Sequence, residues 1–155
     1  MKVFVGGAFQ GKKKAAMEKT GLCETDFLDG ETCTKEELLT GKAVNHFHSY
    51  IRRALKEERE GALDAFVQEL FRKNPDLVIV STELGYGIVP IDAFDRLYRE
   101  KVGRILCKAV EQAEEVYRVV AGIPVAAGIL VATGIAVATV NQEIAGTART
   151  EGVQG

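Results

Sequence analysis

The sequence predicts an α/β fold built on a mostly parallel sheet with helices on both faces, and three observations carry the prediction. Short apolar runs alternate with segments whose apolar residues recur every three or four positions, the pattern of βαβ units. The run Asp76-Leu77-Val78-Ile79-Val80-Ser81 is apolar at consecutive positions, as in a strand buried on both faces of a parallel sheet. The first apolar run passes directly into glycines and then into a helix-forming stretch, giving strand, loop and helix at the start of the chain.

Taken in order, Lys2 to Val5 reads as a short buried strand bounded by Gly6-Gly7, and Lys12 to Lys19 as the helix after the glycine turn. Asp26 to Gly30 is a second short apolar stretch ending in a turn signal. Thr34-Lys35-Glu36-Glu37 matches a capping box, in which Thr and Glu side chains satisfy each other's backbone N–H groups, so a short helix opens there and runs through Leu39. Lys42 to Asn45 gives the next strand. From Phe47 to Lys73 the apolar spacing is helical but broken near Gly61, which predicts two consecutive helices or one kinked helix. Asn74-Pro75 punctuates, and Asp76 to Ser81 should be the central strand. Ile91 to Ala113 is a long amphipathic helix with Pro90 suited to its start, and Glu115 to Ala121 is the final strand.

With 155 residues, 46% hydrophobic and 27% charged, the chain has the length and composition of one globular domain. Its 20 Lys+Arg against 22 Asp+Glu give a net charge of −2, which does not suggest a basic surface built for nucleic acid or anionic membrane. Cys23, Cys33 and Cys107 form no C-x-x-C pair, so neither a disulfide framework nor a structural zinc site is signalled. A reducing, cytoplasmic setting follows, because the N-terminal apolar run is too short for a signal-peptide core. Beyond residue 121 only Glu143, Arg149 and Glu151 are charged, and Val119 to Gln142 carries no charge. That run has the length of a membrane span, but Gly122, Pro124, Gly128 and Gly134 interrupt it. An extra strand or helix on the core, with a frayed tail from Ala145, is the preferred reading.

Gly6-Gly7-Ala8-Phe9-Gln10-Gly11-Lys12 has the spacing G-x-x-x-x-G-K. Such a loop wraps a polyphosphate with backbone N–H groups, its glycines allow close approach, and its lysine reaches the terminal phosphates. The match follows a predicted strand and precedes a predicted helix, as a P-loop requires. One position departs: the hydroxyl residue that would ligate magnesium is Lys13, followed by Lys14. The chain thus divides into a P-loop nucleotide-binding domain over residues 1–124 and an apolar Gly/Ala/Val-rich extension over residues 125–155, which is not a separate domain. A second constellation, Ser81 to Pro90, sets Glu83 just beyond the best strand, where ligands of open parallel sheets bind. Gly85 and Gly87 suggest backbone close to a ligand or in positive φ. His46 and His48 read either as one nucleophile or proton carrier beside the phosphates, or as one surface and one hydrogen-bonded histidine, the second reading being favoured.

Together, Gly6-Gly7-Ala8-x-x-Gly11-Lys12, Thr82-Glu83-Leu84-Gly85-Tyr86-Gly87-Ile88-Val89-Pro90, Tyr98-Arg99-x-x-Val102-Gly103-Arg104 and the run from Ala113 to Pro124 resemble the adenosylcobinamide kinase/adenosylcobinamide-phosphate guanylyltransferase family. The resemblance implies a P-loop α/β fold, a homotrimer, a small-molecule corrinoid substrate, and GTP or ATP with Mg2+. It implies phosphorylation of adenosylcobinamide, then GMP transfer through a histidine phosphoramidate. Carried over, Gly6, Gly7, Ala8, Phe9, Gln10, Gly11, Lys12 and Lys13 hold the nucleotide. Lys12 and Glu83 are catalytic, and Gly85, Tyr86, Gly87 and Pro90 form a substrate loop.

The chain departs from the family pattern in ways that bear on activity. Asn45-His46 stands where the family has Asp-Cys, and Leu106-Cys107 where it has Asn-Gln. The His-His-x-x-Arg stretch that carries the guanylylated histidine is absent, residues 20–42 being a shortened replacement, so His46 and His48 are only stand-in candidates for the guanylyl acceptor. Kinase activity is therefore expected over guanylyl transfer. The rival reading is a non-catalytic nucleotide- or corrinoid-binding protein with a degenerate P-loop.

Overall fold

The computed structural model describes residues 1–85 and 87–129. Its strands are β1 (Lys2–Gly6), β2 (Phe27–Asp29), β3 (Ala43–Asn45), β4 (Val78–Thr82), β5 (Glu115–Val120) and β6 (Ile123–Ile129). Its α-helices are α1 (Lys12–Thr20), α2 (Lys35–Thr40), α3 (Phe47–Glu57), α4 (Glu60–Lys73) and α5 (Ala93–Gln112). The sheet order is β2-β3-β4-β1-β5-β6. Every pairing is parallel except β5 with β6. Parallel neighbours need crossovers, and the helices supply them. The expected α/β class and central β4 are therefore both found, with Val3 of β1 in register with Ile79 of β4 and Val116 of β5.

The two faces are covered unequally. Ala15 and Ala16 of α1 pack on Phe4, Val80 and Val119, small residues letting the helix lie close to the strands. On the other face, α2 to α5 enclose the larger core, in which Leu38, Ile51, Leu70 and Ile105 are fully buried against Val3, Val44 and Ile79. Burying such side chains contributes roughly 1.5–3 kcal/mol each, and the faces they come from are the ones the helical periodicity marked.

Three boundaries differ from expectation for local reasons. The break between α3 and α4 lies at Glu58, extended at φ −129° and ψ 164°, and Gly61 sits inside α4. Lys56 and Glu60 consequently belong to different helices. The α5 helix starts at Ala93 because the Asp92 carboxylate accepts from the N–H groups of Phe94 and Asp95, leaving Pro90 in the preceding loop. β5 is not the final strand, and the uncharged run opens with an extra strand on the core, as its preferred reading expected. Ala121 and Gly122, at φ 50° and 80°, turn the chain back so that β6 pairs antiparallel along β5. The expected tail from Ala145, and the uncharged run from residue 130 on, lie outside the described residues. Among those described, no helix is long and apolar enough to cross a membrane.

Candidate functional site

The carboxyl ends of β1, β3 and β4 open on a cavity of about 420 Å³. One wall is the loop and first turn of α1, from Ala8 to Lys14. The other is formed by Asn45, His46 and His48 with Val80, Ser81 and Thr82, and Glu31 lies at the margin. The loop geometry explains its glycines. A Cβ on Gly6 would stand 2.5 Å from the Val119 carbonyl oxygen, and Gly11 caps α1 at φ 74°. Gln10 ties the loop to the β5–β6 turn. Its side-chain oxygen accepts from the Ala121 N–H at 2.7 Å, and its backbone carbonyl accepts from the Gly122 N–H at 2.8 Å. Phe9, at φ 56°, projects fully into solvent.

Of the three consecutive lysines, Lys12 is the buried one, 9% exposed, and its ammonium donates to the Gly7 carbonyl at 2.6 Å. Burial lowers its pKa, while the charge of Glu83 acts in the opposite sense. The Lys13 ammonium donates to Glu24 at 2.8 Å, and Lys14 lies 3.9 Å from Glu18 on the exposed side of α1.

The two histidines reach the same cavity in different ways. His48, in the first turn of α3, accepts the Thr82 N–H on Nδ1 at 3.2 Å, which leaves its proton on Nε2. Burial, with the nearby His46 and Lys12 charges, lowers its pKa to about 4, so it is neutral near pH 7. His46 is the left-handed N-cap of α3 at φ 53° and ψ 40°. Its Nδ1 lies 3.1 Å from the Asp29 carboxylate and its Nε2 3.3 Å from the Asn45 amide nitrogen. The two rings meet edge to face with centroids 6.0 Å apart.

Glu83 stands where this cavity meets a second groove, near enough to Lys12 for its charge to act on the ammonium. Its N–H donates to the Gly6 carbonyl at 3.0 Å, but its carboxylate is 3.5 Å from the Arg118 guanidinium. It lines a separate groove of about 1130 Å³ along α5, with Leu84, Val102, Leu106 and Val110 as apolar wall. At the mouth of that groove, Arg99 donates to the carbonyls of Gly85 and Ile88, and Arg96 to those of Pro90 and Ile91. Gly87 takes φ 116°, and the Ile88 and Ile91 side chains are almost fully exposed. Tyr86 lies outside the described residues.

Sequence reading missed Asp29 and Arg53 as parts of this region, and the tie from Gln10 to the β5–β6 turn. An Asp-Gly pair at a strand end was a signal for the first; the partners of Arg53 and of the Gln10 side chain are remote in the chain. A central β1 leading through a glycine loop to a lysine at the start of α1 defines a P-loop-type α/β domain. The family model described as cobinamide kinase / cobinamide phosphate guanyltransferase matches residues 5–127, and the chain belongs to that family. The family's role is in cobalamin biosynthesis, with kinase and guanylyltransferase chemistry. A search of curated proteins finds no match.

The P-loop motif implies magnesium, which takes oxygen ligands and usually arrives with phosphates. The residues around Lys12 do not build a resident site for it. Lys13 replaces the ligating hydroxyl and pairs with Glu24, and Asn45 is uncharged. Ser81 Oγ on the cavity wall and Glu83 Oε2 are buried without a hydrogen-bond partner, but the first is neutral and the second lies 3.5 Å from the Arg118 guanidinium. Among the described residues no cluster of three His, Cys, Asp or Glu side chains could hold a metal ion.

Proposed function

We propose that the chain binds GTP or ATP over the Gly6–Lys12 loop and phosphorylates adenosylcobinamide, with guanylyl transfer the lesser of the family's two activities here. Lys12 carries this reading: a buried ammonium on the cavity wall, held on a loop carbonyl that a triphosphate would replace. The unpaired N–H groups at the start of α1 favour the same anion. Catalysis rests on positioning and on neutralising the charge of the transferring group. The apolar groove along α5 suits a large macrocycle, with Gly85 and Glu83 on its wall. Gly85, Tyr86, Gly87 and Pro90 are the substrate loop in this reading, by family resemblance. The missing His-His-x-x-Arg stretch favours the kinase half. A cytoplasmic homotrimer is part of the same reading, by family resemblance.

Purified protein is incubated with adenosylcobinamide and each triphosphate, and the corrinoid products are weighed by mass spectrometry. A corrinoid heavier by one phosphate, lost in Lys12→Ala, is the expected result; unchanged corrinoid and no triphosphate binding would sink the reading. The rival is a non-catalytic nucleotide or corrinoid binder, which Lys13 and Asn45 favour by removing metal ligands. It requires tight binding without turnover and no gain from added magnesium.

A further inference from the structure

Neither the motif nor the family match gives a role to the pair formed by Asp29 and His46. In the parallel register of β2 and β3, Asp29 lies opposite Asn45, and both strands end at the edge where the cavity opens. The next residue, His46, holds a left-handed backbone that non-glycine residues rarely adopt and that clusters at functional sites. The surroundings enforce this placement. The Gly30 N–H donates to the Asn45 carbonyl at 2.8 Å, and a Cβ on Gly30 would stand 2.1 Å from the His46 carbonyl oxygen. Arg53 clamps the same turn, donating to the carbonyls of Gly30 and Cys33.

The hydrogen bonds also select a tautomer. The Glu31 N–H donates to the Asp29 carboxylate at 3.0 Å, and this, with the His46 contact, holds its pKa below the usual carboxylate value. An ionised Asp29 accepts from Nδ1–H of His46, while the Asn45 amide donates to Nε2. The Nε2 lone pair of His46, a residue of the cavity wall, therefore has only a long 3.3 Å contact that an incoming hydroxyl displaces. His48 has the opposite arrangement, a proton on Nε2, and cannot accept one there. The other charged and titratable groups that line the cavity with His46 are Lys12, Lys13, Lys14, Glu31 and His48.

We propose that His46, oriented by Asp29, is the catalytic proton acceptor for the alcohol phosphorylated at this cavity. The inference rests on the kinase reading and deepens it. As the alcohol oxygen attacks the terminal phosphorus, a new P–O bond forms and its proton passes to His46 Nε2. The bond from that phosphorus to the bridging oxygen breaks, and the nucleoside diphosphate leaves with the electron pair. The imidazolium keeps Nδ1–H on Asp29 and later returns the extra proton to water. An oriented carboxylate–histidine pair is a common way to hold a base in one tautomer.

The test uses His46→Asn, because asparagine tolerates the left-handed N-cap, together with Asp29→Asn. With adenosylcobinamide and triphosphate, His46→Asn should lower kcat about 100-fold or more and remove the acid limb of the pH profile. Its triphosphate Kd should stay within about twofold, since uniform binding is untouched. Asp29→Asn should lower kcat less and shift the acid limb. In the unliganded protein, nitrogen NMR should find His46 protonated on Nδ1 and His48 on Nε2. A His46→Asn kcat within about threefold of wild type, the reverse tautomer, or a nucleotidyl adduct mapped to His46 would overturn this role and leave the kinase reading standing. Triphosphate bound by wild type with no corrinoid phosphorylated would overturn both.

Discussion

The backbone N–H of Thr82 donates to Nδ1 of His48 at 3.2 Å, joining the end of β4 to the first turn of α3 on the wall of the P-loop cavity. Burial lowers the His48 pKa to about 4, against an ordinary value near 6.5. Between those values the unfolded chain binds a proton that the native protein refuses, so stability falls as pH drops from about 6.5 toward 4. The loss should reach up to about 3 kcal/mol, because each unit is worth about 1.4 kcal/mol and His48 is partly open to the cavity. In His48→Asn, whose side-chain oxygen can still accept from Thr82, this part of the pH dependence should vanish. Urea midpoints of both proteins at pH 7, 5.5 and 4.5 check it. The depressed carboxylates Glu24, Asp26 and Asp29 act in a different window, losing their contribution below about pH 4.5.

Gln10 is the second test, because it holds the P-loop from outside. Its side chain satisfies the N–H of Ala121, a non-glycine residue at φ 50°. Gln10→Ala removes that bond and leaves the backbone contact to Gly122. Stability should fall by about 1 kcal/mol. The triphosphate Kd should rise severalfold more than in a surface control such as Arg72→Ala on α4, as measured by calorimetric titration. Equal Kd values in the two variants would show that the turn does not preorganise the loop.

Glycine positions give a contrast in sign. Gly30→Ala places a Cβ 2.1 Å from a backbone oxygen, which only a shift of β2 or α3 can relieve, and should cost about 2 kcal/mol or more. Gly103, in the middle of α5, has nothing within 4 Å of the position of an added Cβ. Gly103→Ala should therefore stabilise by about 0.5–1 kcal/mol, the ordinary helix difference between the two residues. Thermal melts of the two variants should move in opposite directions.

What the sequence made legible is what neighbouring residues decide. The Gly6–Lys12 loop, the Thr34 capping box and the apolar run of β4 are local, and each stands where local chemistry puts it, the Thr34 and Glu37 side chains capping each other's backbone. Contacts set by sheet order were not legible. Asp29 meets His46 because β2 and β3 are parallel neighbours, and Thr82 meets His48 because β3 and β4 are. Glu83 follows β4 as expected, but its carboxylate turns to Arg118 on β5, a strand whose place beside β1 no local pattern encodes. The same holds for Arg53 of α3, whose guanidinium binds two carbonyls of the β2 turn, Gly30 and Cys33, 23 and 20 positions away in the chain.

The fourth test concerns Lys101, a buried cation on α5 away from the cavity. It is 7% exposed and donates to Asp64 of α4 at 2.6 Å, with Glu60 at 3.6 Å. The partners are unequally desolvated, since the Asp64 and Glu60 side chains keep 34% and 49% of their exposure. Removing the cation leaves two carboxylates that water can reach; removing Asp64 leaves a buried ammonium with only the longer Glu60 contact. Asp64→Asn should therefore cost about 2–3 kcal/mol, and Lys101→Met, which keeps the apolar stem, less than about 1 kcal/mol. Urea denaturation of the two variants measures the asymmetry. If Lys101→Met proved the more damaging, the pair would be stabilising α4 on α5 through net attraction, and desolvation of the lysine would not be the governing cost.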